Sequence, residues 1–124
     1  MSETVLSIDG VTFAGDEITV FPVDSFSWSA SDGLVESLKT LTVLRAVNDL
    51  SPLLVVLFQS GESRGASLTC VDESGNQRLR LDLTDATVTS YAVTGGGTGD
   101  PLEEFTLQAG TVEMTCSDSF ALIE

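Results

Sequence analysis

Short stretches of alternating hydrophobic and polar residues recur along this sequence, and this is the pattern of half-buried β-strands. The clearest case is the stretch in which Leu79, Leu81 and Leu83 alternate with Arg80 and Asp82. Comparable stretches predict strands at residues 5–11, 17–31 (interrupted by a proline), 37–47, 66–72, 78–83, 86–93, 104–109 and 112–117. Their short, even spacing predicts a mainly β fold, an antiparallel β-barrel or β-sandwich of about eight strands.

Residues 50–61 do not alternate and instead predict one short α-helix packed against the barrel. Ser51 is a residue type that caps a helix N-terminus, and Pro52 suits the first helical position. Residues 53–58 are all apolar, and Gly61 offers a C-terminal stop. The predicted helix is therefore buried nearly all round. Phe26, Trp28 and Phe58 are predicted to belong to the core.

The length and composition predict a single domain over residues 1–124. A chain of 124 residues with 42% hydrophobic residues is long enough for one core. No apolar run approaches the ~20 residues of a membrane helix, so no membrane insertion is expected. The first residues, Met1 to Thr4, contain no basic group and no apolar run. We therefore expect synthesis in the cytoplasm without a signal peptide.

The charge of the chain is strongly acidic, with 19 Asp and Glu against 5 Lys and Arg and a net charge of −14. A field of this sign repels phosphate backbones, so nucleic-acid binding is not expected. Two explanations stay open, a surface kept soluble by charge and an adaptation to high salt. If copies of the chain associate, like charges must meet, and association should strengthen with ionic strength.

A catalytic site is hard to build from this sequence. The chain has no histidine, which excludes Ser-His and Cys-His nucleophile activation and histidine metal ligation. Two carboxylate pairs, Glu103 with Glu104 and Asp82 with Asp85, have the chemistry for acid–base work. Their sequence context predicts polar faces or loops, where solvated charge is the ordinary outcome. The sequence therefore predicts no enzyme, no catalytic residue and no metal ligand.

Three further patterns resemble ligand sites but predict other structures. Four glycines within residues 95–99 lack the Gly-Lys-Ser/Thr ending of a phosphate loop and precede a strand, so they predict a hairpin connection. Residues 72–76 lack the spaced ligands of a calcium loop and predict a turn. Cys70 and Cys116 match no zinc or redox spacing. They predict neighbouring buried thiols, with a disulfide left open, and no cofactor is expected.

Five segments follow one another in an order that is more specific than any one of them. They are an Ile-Asp-Gly strand at 5–11, Ser-Phe-Ser-Trp at 25–28, a Ser-Pro helix start at 51–54, the pattern L-x-L-x-D-x-x-V-x-S-Y ending at 91, and the loop 95–103 leading into 105–107 and 112–114 as a closing hairpin. In this order the chain resembles the Hcp family, the tube proteins of type VI secretion systems. Two departures are a shortened loop at 31–36 and Cys116 where the family often has tyrosine.

The resemblance implies a function in assembly. Hcp proteins form six-membered rings that stack into a tube, which a contractile sheath propels and which carries effectors behind a spike. It therefore implies self-association, sheath, spike and effector partners, and export as part of the tube. Loops at a barrel rim are free to meet neighbours. The candidate assembly residues are Ser31, Asp32 and Gly33 in one loop and Gly95, Gly96, Gly97, Thr98, Gly99 and Asp100 in another.

Two alternative functions remain open from the sequence. One is a monomeric β-barrel that binds a small ligand or a partner protein in an apolar lumen lined by Leu79, Leu81 and Phe105. The other is a tube or fibre subunit of a related phage-like extracellular system. The first alternative predicts a monomer at every salt concentration, whereas the second predicts stacking subunits.

Overall fold

Nine β-strands and one α-helix follow one another in the computed structural model, which describes residues 3–13, 16–32, 37–95, 97, 99–116 and 119–123. The elements are β1 (Glu3–Phe13), β2 (Asp16–Pro22), β3 (Ser25–Asp32), β4 (Ser37–Ala46), α1 (Ser51–Ser60), β5 (Arg64–Val71), β6 (Gln77–Thr94), β7 (Leu102–Gln108), β8 (Thr111–Cys116) and β9 (Ser119–Ile123). All pairings among these strands are antiparallel. The predicted antiparallel β fold with one short helix is confirmed.

The sheet closes on itself because the strands at its two edges, β2 and β3, are consecutive in the chain. The strand order is β2-β1-β5-β6-β7-β4-β3. β2 and β3 are joined through Val23 and Asp24. The N–H of Val23 donates to the Thr4 carbonyl of β1 at 3.0 Å, and the N–H of Asp24 donates to the Leu44 carbonyl of β4 at 3.0 Å. The bent β2–β3 segment therefore links both ends of the sheet into a barrel.

The 18-residue strand β6 belongs to both halves of this barrel. One edge pairs with β5, while the other pairs with β8 and then with β7. β7 and β8 continue each other in one register, since Gln108 faces Thr87 and Thr111 faces Thr84. Residues 105–107 and 112–114 therefore do not form the closing hairpin expected from the sequence. Both segments lie opposite β6, and β9 pairs with β8.

A corner in β6 explains why the two strands predicted at 78–83 and 86–93 are one strand. At the corner Asp85 has a φ of 55°, in the left-handed region that Asp tolerates better than most residues. The Gly110 N–H donates to the Thr84 carbonyl at 2.9 Å, which keeps the ladder intact through the bend. A Cβ on Gly110 would lie 3.4 Å from the Asp85 Cβ, so the two chains approach closely here.

The core is a single cluster of apolar side chains inside the barrel. Its fully buried members include Leu6, Phe21, Leu41, Val43, Leu54, Leu68, Leu81, Phe105 and Val112. Phe26 and Trp28 pack against this cluster and are half-buried, as predicted for core aromatics. Leu81 and Phe105, two of the residues proposed to line a ligand-binding lumen, are 0% exposed within this packed core.

The helix α1 covers one side of the barrel with one face. Leu54 and Leu57 enter the core, whereas Val56 and Phe58 are 59% and 41% exposed. The predictions of an all-round buried helix and of a core Phe58 were therefore wrong. Gly61 ends the helix in the left-handed region, as expected, and its N–H donates to the Leu57 carbonyl. No helix in the described ranges is long and apolar enough to span a membrane.

The two cysteines are free thiols. Cys70 is half-buried but Cys116 is exposed, so the expectation of two buried thiols was wrong for Cys116. The pairings of Cys70 with Leu79 and of Arg80 with Thr115 place the cysteines on strands that flank β6. Because β6 lies between them, β5 and β8 are about 10 Å apart, which is twice the spacing of paired strands and beyond the reach of a disulfide.

The corner at Asp85 gives a testable prediction about stability. Asp85→Val is expected to lower the free energy of unfolding by about 1–2 kcal/mol, because a β-branched residue is strained at positive φ. Asp85→Asn is the matched control, since Asn tolerates this conformation, and it should leave stability nearly unchanged. Urea unfolding followed by tryptophan fluorescence measures both variants. Equal losses for the two would show that side-chain chemistry, rather than backbone conformation, matters at this position.

Candidate assembly site

A buried carboxylate lies beneath the N-terminus of α1. Glu103 of β7 is 0% exposed, because it shares the inward face of the strand with Phe105 and Leu107. Its neighbour Glu104 points to the opposite face and is exposed. The expectation that Glu103 and Glu104 form a pair on a polar face or loop was therefore wrong for Glu103.

Three donors from three different elements surround this carboxylate. The Arg45 Nη1 of β4 forms an ion pair with Glu103 Oε2, and the Ser51 hydroxyl of α1 donates to the same oxygen at 2.9 Å. The Tyr91 hydroxyl of β6 donates to Glu103 Oε1 at 2.6 Å. A buried charge is tolerated when it is paired and hydrogen-bonded in this way.

Arg45 is itself held from several sides. The side chain is 2% exposed, its Nε donates to the Pro22 carbonyl at 3.0 Å, and its guanidinium carbon lies 5.3 Å from the Phe21 ring centroid. The planar guanidinium thus satisfies a carboxylate, a carbonyl and an aromatic face at once. This network, defined as Arg45, Glu103, Ser51 and Tyr91, links β4, β7, α1 and β6.

Ser51 has a different role from the helix cap predicted for it. Leu50 occupies the N-cap position without a side-chain cap, and Pro52 is the second residue of the helix. The Ser51 hydroxyl accepts from the Asn48 N–H at 3.0 Å and donates to Glu103. The serine therefore attaches the start of the helix to the barrel, and the Asn48 Oδ1 accepts from the Leu50 N–H at 2.9 Å.

The environment of Tyr91 disfavours its ionisation. Burial, and then the hydrogen bond and negative charge of Glu103, raise the pKa of Tyr91 to about 12, although Arg45 acts in the opposite direction. The phenol therefore stays protonated and continues to donate to Glu103 at neutral pH. It cannot act as a base near pH 7.

An apolar groove opens next to this network, between α1 and β6. It has a volume of about 490 Å³ and is lined by Val47, Asn48, Ser51, Pro52, Val55, Val56 and Tyr91. None of these side chains is charged. We name it the α1–β6 groove.

The second candidate carboxylate pair is also occupied by structural contacts. The Arg80 Nε donates to both oxygens of Asp82, at 2.9 and 3.0 Å, and the Ser67 hydroxyl donates at 2.8 Å. Burial opposes ionisation, but these hydrogen bonds lower the pKa of Asp82. Asp82 therefore does not supply a raised-pKa acid. Within the described residues, no group of three or more metal-binding side chains is present.

The described residues of the two predicted assembly loops lie at opposite ends of the barrel. Ser31 and Asp32 end β3, and Asp32 pairs with Ser37 at the start of β4. The other loop joins β6 to β7, and Leu102 at its end pairs with Ala46 at the far end of β4. Gly95, Gly97, Gly99 and Asp100 are exposed in that loop, as the predicted hairpin connection requires. Gly33, Gly96 and Thr98, which were also predicted to be assembly residues, lie outside the described residues.

The overall charge of the chain does not predict the network, because the network depends on the position of each charged residue along its strand. Arg45 shares the alternation of Leu41 and Val43, and Glu103 shares that of Phe105. Opposite charges at inward positions of two strands indicate a buried ion pair. That signal is present in the sequence, but the pairing of β4 with β7 is needed to bring the two residues together.

Solved structures match this fold over almost the whole chain. Hcp1 from Salmonella typhimurium superposes with a TM-score of 0.79 at 18% identity, covering 98% of this chain and 91% of that one. The secreted protein Hcp3 from Pseudomonas aeruginosa superposes with a TM-score of 0.77 at 15% identity, covering 100% and 98%. The fold of this chain is Hcp-like. The structural comparison thus confirms the resemblance drawn from the five segments.

The fold also superposes on a chain from an extracellular contractile injection system. A cryo-EM structure of an extracellular contractile injection system, the PVC sheath-tube complex in its extended state, superposes with a TM-score of 0.66 at 16% identity, covering 91% of this chain and 88% of that one. The sequence itself matches no protein-family model and no curated protein. The likeness therefore lies in the fold.

The buried network gives a prediction about stability. Glu103→Gln is expected to cost about 3–5 kcal/mol of unfolding free energy, because it leaves the buried Arg45 charge uncompensated. Glu104→Gln is the matched control on the exposed face of the same strand, with an expected change within about 0.5 kcal/mol. Urea unfolding at pH 7 measures both. A small loss for Glu103→Gln would mean that water or another group compensates Arg45.

Tyr91 gives a prediction about pH, and it is the only tyrosine in the chain. Absorbance near 295 nm should titrate with a midpoint of about 12 in the folded protein, against about 10 in urea. Because the folded pKa is raised, this contribution to stability is complete below pH about 10 and is lost as pH rises toward about 12. Tyr91→Phe should remove this part of the alkaline loss. A native midpoint near that of the unfolded chain would contradict the hydrogen bond to Glu103.

Proposed function

We propose that this chain is a structural, non-enzymatic tube subunit of a contractile injection system of the type VI secretion class. The observation that carries the proposal is the superposition of almost the whole chain on Hcp proteins and on a chain of a sheath-tube complex. The shared part is the complete barrel rather than one motif. Such a match supports a role that depends on the shape of the whole subunit, and building a tube is a role of this kind.

In this proposal six copies form a ring, and rings stack head to tail into a tube. A heterologous contact closes into a ring when its rotation completes a circle, and it stacks when two different ends of the subunit meet. Ser31 and Asp32 at the end of β3 and the described residues of the loop Gly95–Asp100 lie at opposite ends of the barrel. We assign these two loops to the contact between successive rings.

The partners follow from the same role. A contractile sheath surrounds the tube, a spike precedes it, and effector proteins travel with it. In this proposal the subunit reaches the exterior as part of the assembled tube. A net charge of −14 argues against nucleic acid as cargo.

The test is the mass and shape of the purified protein at low and high salt. We expect light scattering to report a multiple of the 13.0 kDa chain and negative-stain electron microscopy to show rings or tubes with a central hole. Association should strengthen with salt, because 19 acidic residues repel one another across any contact between copies. Featureless monomers at both salts would overturn the proposal and favour a monomeric binding barrel.

The loop assignment is tested separately by a bulky substitution. A side chain at Gly99 would meet nothing within 4 Å in the subunit, so Gly99→Trp should leave the fold intact. It is expected to shorten tubes while leaving rings. Ser74→Trp in the exposed β5–β6 turn is the matched control. Tubes of normal length from Gly99→Trp would remove this loop from the contact between rings.

A further inference from the structure

A polar cavity lies beside the corner of β6. It has a volume of about 440 Å³, and its lining includes Lys39, Asp85, Thr87, Thr89, Gln108 and Gly110. We name it the Lys39 cavity. Asp85, Thr89 and Gly110 are exposed, so the cavity is open to solvent. Its volume falls within the range of about 300–1,000 Å³ that is usual for binding clefts.

The Lys39 cavity carries both signs of charge, although the chain as a whole is strongly acidic. Among the described residues of its lining, Lys39 and Asp85 are the charged ones, and Lys39 is the only lysine of the chain. Thr87, Thr89 and Gln108 add hydroxyl and amide groups, which both donate and accept hydrogen bonds. The two charges of the lining balance, whereas the net charge of −14 repels a second copy over the surface at large.

The cavity and the Gly95–Asp100 loop lie at opposite ends of one ladder, formed by β4, β7 and β6. Gln108 of β7 faces Thr40 of β4 and Thr87 of β6 at the end that carries the cavity. Leu102 of β7 lies at the other end, next to the loop. The six residue steps between Leu102 and Gln108 span about 20 Å. A loop that occupies this cavity therefore comes from another copy.

The Gly95–Asp100 loop stands clear of its own subunit. A Cβ added at Gly97 or Gly99 would meet nothing within 4 Å, and both glycines are exposed. Asp100 is exposed as well, and it is the only charged residue of the loop. Because glycine has no side chain, its backbone N–H and C=O groups can approach another surface closely. The loop therefore presents backbone donors and acceptors together with one carboxylate.

The groups of the loop and of the cavity complement one another. The Asp100 carboxylate matches the positive charge of Lys39, which is 5% exposed and is therefore screened less by salt than a surface charge. The backbone N–H groups of the glycines match the Asp85 carboxylate. The Thr89 hydroxyl donates to the Thr106 carbonyl at 3.4 Å, so its oxygen can still accept from a further N–H. These matches favour a second copy of this chain as the occupant.

We propose that the Gly95–Asp100 loop of one copy enters the Lys39 cavity of a copy in the next ring, with the Asp100 carboxylate next to Lys39. The contact is heterologous, because loop and cavity are different parts of the chain, and its repetition gives an open stack. The inference rests on the proposed function in taking the rings to stack. It adds the surface that receives the loop and the groups that bind it.

Disulfide cross-linking between two differently substituted copies tests this contact. Both copies carry Cys70→Ser and Cys116→Ser, one carries Gly99→Cys in the loop, and the other carries Thr89→Cys in the cavity wall. Under mild oxidation at high salt, we expect the mixture to give a linked dimer that neither copy gives alone. Ser74→Cys in the exposed β5–β6 turn is the matched control for Thr89→Cys and should give no link.

A pair of charge variants separates this contact from the general repulsion between copies. Asp100→Lys and Glu73→Lys change the net charge equally at exposed positions, so both weaken the general repulsion to the same extent. We expect Asp100→Lys to shorten the tubes several-fold while rings persist, because it brings a second ammonium group to Lys39. Glu73→Lys should give tubes at least as long as those of the unchanged chain. Negative-stain electron microscopy measures both, and equal tube lengths for the two variants would contradict the inference.

The outcomes separate this inference from the proposed function. Tubes that form without the link between Gly99→Cys and Thr89→Cys overturn the inference and leave the tube proposal standing. A link to Ser74→Cys as strong as the link to Thr89→Cys also overturns it. A chain that stays monomeric at both salts contradicts both proposals.

Discussion

The hydrogen-bond ladder along both edges of β6 is the constraint on which the rest of the structure depends. Over its first half β6 lies between β5 and β8, and over its second half it pairs with β7. Because each of these strands pairs further, the register of β6 sets the position of β1 and β4 as well. The corner at Asp85 and Gly110 then directs one continuous ladder into two halves of a barrel. A register slip of one residue would turn Leu81 and Leu83 outward and disrupt the core.

Burying the ion pair of Arg45 and Glu103 inside this barrel has a desolvation cost, and the hydrogen bonds around the pair offset it. Glu103 receives hydrogen bonds from Ser51 and Tyr91 besides its contact with Arg45, so its oxygens are satisfied by three elements. Such pairs add less to stability than their Coulomb attraction suggests, but removing one partner is costly. The helix is joined to the barrel through this network. The network therefore also fixes the side of the groove that α1 contributes.

The proposed assembly has to form although the acidic surfaces of neighbouring copies repel one another. Charge keeps the exposed faces apart and soluble, while uncharged apolar surfaces are the ones on which copies can meet at low electrostatic cost. The structure separates the two kinds of surface: β9 and the α1–β6 groove are uncharged. Raising the salt concentration screens the repulsion between the remaining faces. The acidity of the chain is thus compatible with the proposed self-assembly, which should depend on the salt concentration.

The sequence by itself determined the class of fold, because alternation with period two and an apolar segment bounded by Pro52 and Gly61 are local properties. The helix at Ser51–Ser60 and the order of strands up to β5 follow from such patterns. The Hcp-like character was implied by the resemblance of five segments to that family. Tertiary structure alone decided that residues 78–93 form one bent strand, since a positive φ at Asp85 is tolerated only when neighbouring strands maintain the ladder. It also decided that Arg45 and Glu103 meet across β4 and β7, and that β9 pairs with β8 on one edge only among the described strands. These features depend on which strands become neighbours, and that depends on the packing of residues far apart in the chain.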